Sequence, residues 1–254
     1  MTYRRDLGGR WLACVLSMLL LGSCAPAGKT YRTQGNVFGT LVEVSIHGES
    51  AERASVLAES VLGEFDRLHH KFHAWQPSML TALNDAIARG EPFQADAEMV
   101  DILQSAAALA ERSDNLFNPA IGHLIRLWGF QSSDISAHAP DAAEIKRWVD
   151  ANPRMSDLRF EGTTISSRNR AVMLDLGGYA KGYALDHAAQ ILRTQGVKAA
   201  LINVGGNILA IGQPSDHPWK VGIRDPRGEG SIANIALRDN EAIGTSGDYM
   251  RYFM

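Results

Sequence analysis

The sequence predicts an α+β domain with a substantially antiparallel sheet and packed helices. Three observations carry that prediction: apolar residues at helical spacing over 54–72 and 97–112, short alternating or apolar runs of strand length, and brief glycine-rich turns between them. The 254 residues are 45% hydrophobic and 21% charged, with a formal net charge of −3. That is an ordinary globular composition, long enough for one large domain or two small ones. The charge balance and the lack of any Lys/Arg-rich tract argue against a nucleic-acid partner.

The N-terminus reads as a targeting segment. Arg4, Arg5 and Arg10 precede an apolar run from Trp11 to Leu21, too short to span a bilayer comfortably, so 1–23 is expected to be a secretory signal peptide. It ends in Leu21-Gly22-Ser23-Cys24, which resembles the lipobox of bacterial lipoproteins, with Cys24 as the acylated residue; the alternative is a plain signal peptide with a chance cysteine. Cys14 lies in the removed part, so Cys24 would be the sole cysteine of the mature chain and no intramolecular disulfide is expected. Residues 24–34 read as lipidated cysteine and tether, and 35–254 as the folded domain.

Val42, Val44 and Ile46 alternate with Glu43 and Ser45 as in a half-buried strand. Ala54, Leu57, Val61, Phe65, Leu68 and Phe72 then recur every three or four residues, one face of a long helix. His69, His70 and His73 close it. A metal-binding histidine cluster is one reading; last-turn histidines beside the negative helix end is the other and simpler one. Further helices are expected over 97–112 and 142–149, and after residue 180 through Ala184, Leu185, Ala188 and Leu192. Strands are expected at 171–176, 200–204, 219–224 and 232–237.

The most informative stretch is Asp175-Leu-Gly-Gly-Tyr-Ala-Lys-Gly-Tyr-Ala-Leu-Asp186. Glycines at 177, 178 and 182 allow close backbone approach and unusual conformations, the helix start offers unpaired N–H groups, and Lys181 adds a full charge. The spacing matches neither the dinucleotide fingerprint nor the phosphate-loop pattern, which leaves a generic anion-cradling loop or a structural turn. Three more segments, Asn203–Asn207, Val221–Arg227 and Gly244–Tyr249, are rich in Gly, Asn, Arg, Thr, Ser and Asp, and are expected to converge on a polar ligand.

Taken together and in this order, Asp175–Asp186, Ile202-Asn-Val-Gly-Gly-Asn207, Val221-Gly-Ile-Arg-Asp-Pro226 and Thr245-Ser-Gly-Asp-Tyr249 closely resemble the ApbE family of FAD:protein FMN transferases. Gly39-Thr40, Trp75-Gln-Pro-Ser78 through Asn84, Phe117-Asn118-Pro119 to Gly122, and Leu127-Trp128-Gly129-Phe130 extend the resemblance from about Gly35 to the end. The resemblance implies a Mg²⁺-dependent transfer of the FMN half of FAD onto a Thr or Ser hydroxyl of an acceptor flavoprotein, with release of AMP. It implies that Asp175, Lys181, Phe117, Asn118 and Pro119 lie against FAD, and that the Gly178 carbonyl is a metal ligand. Lys181 would neutralise the diphosphate, and Asp248 would orient the substrate or the metal shell. Phe38 stands where the family has Met, an apolar replacement. Trp75 is the candidate to stack on the isoalloxazine, although ungapped alignment puts Ala74 at the family's Tyr; Trp128 reads as core. Met79 stands where the family commonly has Glu.

The resemblance further implies an acceptor carrying a short Asp-x-x-[ST]-Thr-like motif, and a lipid-anchored protein on the periplasm-facing side of a bacterial membrane. Family members continue past the equivalent of Met254 through a His-containing segment and an Asp-Ala-x-x-Thr helix that supplies side-chain Mg²⁺ ligands, so the chain is expected to be C-terminally incomplete. Beside the transferase stand two alternatives: an FAD pyrophosphatase giving FMN and AMP, and a non-catalytic FAD-binding lipoprotein.

Overall fold

The computed structural model describes residues 28–132 and 139–247; Cys24, the leader and Asp248 lie outside them. The chain opens with a hairpin, β1 (Thr30–Val37) and β2 (Thr40–His47), paired antiparallel from Thr30↔His47 to Val37↔Thr40. The stretch read as tether therefore runs into the sheet, since β1 begins at Thr30. Its connection is the two-residue turn Phe38-Gly39, with φ of 56° and 67°. Positive φ at both positions is the requirement of a type I′ hairpin, and it is costly for phenylalanine.

Helix α1 (Ala51–Lys71) follows, capped by the Ser50 hydroxyl, which accepts from the Arg53 amide. Its buried stripe, Ala54, Leu57, Val61, Phe65 and Leu68, is the periodic face seen in the sequence. Helix α2 (Met79–Arg89), which periodicity alone did not disclose, starts at a Ser78–Thr81 capping box and stops at Gly90, φ 76°. Met79 opens it and packs on the core. Then come β3 (Phe93–Gln94), α3 (Ala97–Arg112, capped by Asp96), the short α4 (Gly122–Leu127) and α5 (Ala142–Asp150). Strands β4 (Leu158–Glu161) and β5 (Thr164–Ser167) form a small sheet with β3 in the order β3-β5-β4.

Helix α6 (Ala180–Thr194) precedes β6 (Ala199–Val204), β7 (Asn207–Ile211), β8 (Trp219–Arg224), β9 (Ser231–Leu237) and β10 (Ala242–Ile243). The main sheet runs β1-β2-β6-β7-β10 with every neighbour antiparallel. α1 and α6 pack on one another and on this sheet; Val42, Val44, Ile46, Ile202 and Val204 meet the apolar stripes of both helices in one core. β8 and β9 form a separate ribbon whose outer strand exposes Ile232 and Ile235. No described helix is long and apolar enough to cross a membrane.

The stretch 171–176 is buried and extended, yet it joins no sheet, contrary to the strand expected there. Its only bridge is Met173 with Ile121. Its backbone is paired in other ways. The Asn84 amide donates to the Leu174 carbonyl (2.9 Å) and accepts from the Leu174 amide (2.7 Å), while the Ala120 and Pro119 carbonyls accept from Met173 and Asp175. A buried backbone must find partners, and here side chains and a neighbouring turn supply them in place of a strand.

Candidate functional site

The glycine loop runs from this pinned stretch into α6. Asp175 is 7% exposed and both its oxygens are engaged: Oδ1 accepts from the Gly177 amide at 2.8 Å and Oδ2 from Gln131 Nε2 at 2.7 Å. Gly177, Gly178 and Gly182 do not adopt positive φ, so their use is not the conformational freedom expected from sequence. Their use is size. A Cβ on Gly177 would come within 3.0 Å of Asp175 Oδ1, whereas one on Gly182 meets nothing within 4 Å and one on Gly178 only Phe117 at 3.9 Å. The missing side chains leave the loop backbone bare. Among the described residues no side chain caps the N-terminus of α6, whose first turn is Ala180, Lys181, Gly182 and Tyr183. The positive helix end, the bare glycine backbone and Lys181 together make an anion cradle, although the Ala180 amide itself donates to the Leu176 carbonyl at 2.7 Å.

Two clefts share this loop as a wall. The first, about 90 Å³, is lined by Phe38, Phe72, His73, Ala74 and Trp75 opposite Asp175, Gly177 and Lys181. Its aromatic wall is continuous: Phe38 to His69 at 5.4 Å, His69 to His73 at 4.9 Å, His73 to Trp75 at 4.5 Å between centroids. Trp75 stands at the mouth, 49% exposed. The amides of Trp75 and Gln76 both donate to His73 Nδ1, at 3.3 and 3.1 Å, so the ring proton sits on Nε2. Burial, then the neighbouring His69 and His70, hold His73 below the ordinary imidazole pKa and keep it neutral; burial lowers His69 as well.

The second cleft, about 520 Å³, is lined by Gly177, Gly178, Lys181, Gly182 and Asp186 on one side and Gly205, Asn207, Thr245 and Ser246 on the other. Burial raises the Asp186 carboxyl pKa. The turn Gly205-Gly206 needs glycine in both respects: φ is 57° and 89°, and a Cβ on Gly205 would strike Thr40 Oγ1 at 2.5 Å. Thus the Gly205–Asn207 and Thr245-Ser246 segments do converge on the glycine loop, and Thr40 packs against Gly205.

Other expected residues are placed differently. Val221–Arg227 belongs to the β8–β9 ribbon and lines neither cleft, a correction to its expected convergence. Phe117 packs under the loop against Gly178 and Tyr179. Asn118 spends its amide on Pro153 and Ala120, and Pro119 holds Asp175 through its carbonyl, so these two support the loop rather than line a cleft. Trp128 is half-buried and lines neither cleft. Gln131 is an addition that the sequence did not single out, and His73, weighed there only as a metal or last-turn histidine, lines the aromatic cleft. His69, His70 and His73 close α1 and its C-cap, the simpler of the two readings; the one metal-capable trio among the described residues is Glu64, Glu98 and His187.

A bare glycine loop carrying a lysine between an aromatic cleft and a polar one defines a site for a ligand with a ring, an anionic centre and further polar groups. Residues 38–254 match the model of the ApbE family, and the chain belongs to that family. It is 42% identical over 218 residues to the FAD:protein FMN transferase of Rhodobacter capsulatus, covering 85% of this chain and 42% of that protein. To the enzyme of that name from Treponema pallidum it is 29% identical over 261 residues, 95% of this chain and 71% of the relative. The fold superposes on the ApbE protein of Thermotoga maritima with a TM-score of 0.81 at 31% identity, covering 89% of this chain and 73% of the other. The flavin transferase ApbE of Vibrio cholerae gives 0.75 at 23% identity, with 89% and 75% covered. The chain thus spans less than half the length of its Rhodobacter relative.

Proposed function

We propose that the chain transfers the FMN half of FAD to a Thr or Ser hydroxyl of an acceptor flavoprotein and releases AMP. One observation carries the reading: the glycine loop and Lys181 form the wall common to an aromatic and a polar cleft. A ligand with its isoalloxazine against Trp75 and its far end toward Asn207 and Thr245 would bring its diphosphate to that wall. The names of the relatives supply the rest.

Transfer needs the acceptor oxygen to attack the FMN phosphorus as the bond to the AMP phosphate breaks, with the hydroxyl proton passing to a base or to solvent. Such a reaction is governed by alignment and by neutralisation of the phosphate oxygens. Lys181 and the positive N-terminal end of α6 would supply that charge here. The aromatic wall fixes the ring, and the pinned Asp175 keeps the loop from following the leaving group. The family's Mg²⁺ would supply further Lewis-acid charge. Of its ligands the described residues offer the Gly178 carbonyl, and one neutral carbonyl does not make a hard-cation site. Asp248 is assigned to orient the substrate or that metal shell. Cys24 would carry a lipid that holds the domain on the periplasm-facing side of a bacterial membrane, where an acceptor with an Asp-x-x-[ST]-Thr-like motif would meet it.

Intact mass spectrometry of such an acceptor, incubated with the full chain, FAD and Mg²⁺, tests the reading. The expected result is a gain of one FMN less water, with AMP formed in equal amount. An unmodified acceptor with accumulating AMP would make the protein a pyrophosphatase, and an unmodified acceptor without AMP would leave it a flavin binder.

A further inference from the structure

Among the described residues, Gln131 Oε1 is the one buried side-chain polar atom without a hydrogen-bond partner. The residue is 8% exposed, so water is no ready substitute. Its other amide atom, Nε2, donates to Asp175 Oδ2 at 2.7 Å, across 44 positions of sequence. Turning the amide over would set oxygen against carboxylate, so the orientation is dictated by Asp175 and the unpaired oxygen is its consequence. A glutamine kept in the interior at the expense of an orphaned acceptor is there for the bond it does make. That bond continues. The second Asp175 oxygen holds the Gly177 amide at 2.8 Å, and the Asp175 amide is itself held by the Pro119 carbonyl.

We propose that Gln131 is a positioning residue for the glycine loop. Its amide fixes the rotamer of Asp175, Asp175 fixes Gly177, and the bare backbone at Gly178 and the first turn of α6 is thereby set before the ligand arrives. Preorganised donors stabilise developing charge without reorganising at the moment of reaction, and the loop has no side chain of its own at 177, 178 or 182 to hold it. The functional part of the proposal rests on reading the loop as the diphosphate cradle; the mechanical part does not.

The test measures amide exchange protection at Gly177 in the full chain without ligand, and FAD affinity separately by flavin fluorescence. Gln131→Met keeps the bulk of the side chain and removes the donor. It should lower Gly177 protection about as far as Asp175→Ala does, the double variant should be no worse, and FAD affinity should fall about tenfold with the melting temperature little changed. Wild-type protection in Gln131→Met, or losses that add in the double variant, would overturn the proposal. Should Gln131→Met fail to fold, Gln131→Glu carries the same test. Two facing carboxylates repel at pH 8 and share a proton at lower pH, so Gly177 protection should be lost at pH 8 and regained near pH 5. A packing role gives no such dependence, and its absence would also overturn the proposal. If the wild-type chain binds no FAD, the flavin reading fails, while the ligand-free exchange still decides the role of Gln131.

Discussion

Two polar clusters flank the same pair of helices, and they are built on opposite terms. Between α1, α3 and α6, Arg67 forks onto Glu64 (2.7 and 2.8 Å) and reaches Glu98; Lys71 joins Glu98 to Asp96, and His187 Nδ1 meets Glu64 at 2.8 Å. Every charge there has a partner. Arg67, then Lys71, hold the Glu98 carboxyl down to about 2, and the carboxylates hold Arg67 well above its ordinary value. Where the end of α1 meets the start of α6, Phe38 sits at positive φ, a carboxamide oxygen is orphaned, and the first amides of α6 lack a side-chain cap. Strain of this kind costs of order 1–3 kcal/mol and persists where surrounding structure enforces it. Glu64, Glu98 and His187 have the composition of a metal site, but two cations already occupy their oxygens. Density of charge marks a brace between helices; unfinished bonding marks a place for a ligand.

The largest expected break in that contrast is Lys181→Ala. It should lower transfer to the acceptor about 100-fold, the scale for losing one charge-stabilising donor, with the melting temperature nearly unchanged. Next, Trp75→Ala should weaken flavin binding about tenfold, measured by fluorescence titration, since an exposed ring contributes stacking rather than core. A folding defect in either variant would move these residues from ligand to framework.

Arg67→Ala should do the converse. It leaves Glu64 and Glu98 facing each other with only Lys71 and His187 to offset them, and should cost about 1 kcal/mol in urea unfolding without altering FAD affinity. The smallest effect is that of pH. His69 and His73 have folded pKa values below the ordinary value near 6.5, so the unfolded chain binds more protons. Their contribution is complete above that value and is lost as pH falls through the folded pKa values. Unfolding midpoints should decline as pH drops below about 6.5, and His73→Gln should flatten the decline. The Glu98 contribution has the same sign at lower pH: it is present above the ordinary carboxylate range and lost on approach to about 2.

The brace and the cradle were unequally legible in the sequence. Periodicity disclosed α1, α3, α5 and the buried face of α6, because one helix face repeats every three or four residues. Alternation and apolar runs disclosed β2, β6, β8 and β9. The glycine loop and Lys181 were visible because glycine and lysine side by side have few structural uses. What stayed hidden depends on bonds between distant positions. Asn84 substitutes for a strand at Leu174, Gln131 fixes Asp175, and His73 takes the Trp75 amide; none leaves a period. The same bonds explain why 171–176, apolar and of strand length, is no strand. α2 escaped because its Ser78–Thr81 capping box lacks the usual Glu or Gln.

The most direct measurement is amide exchange along the chain with and without FAD. Protection confined to residues 72–76, 175–182, 203–207 and 244–246, with no change at 64–67 or 96–98, is the predicted result. Protection centred on the Glu64–Glu98–His187 cluster, or none at the glycine loop under saturating FAD, would contradict it.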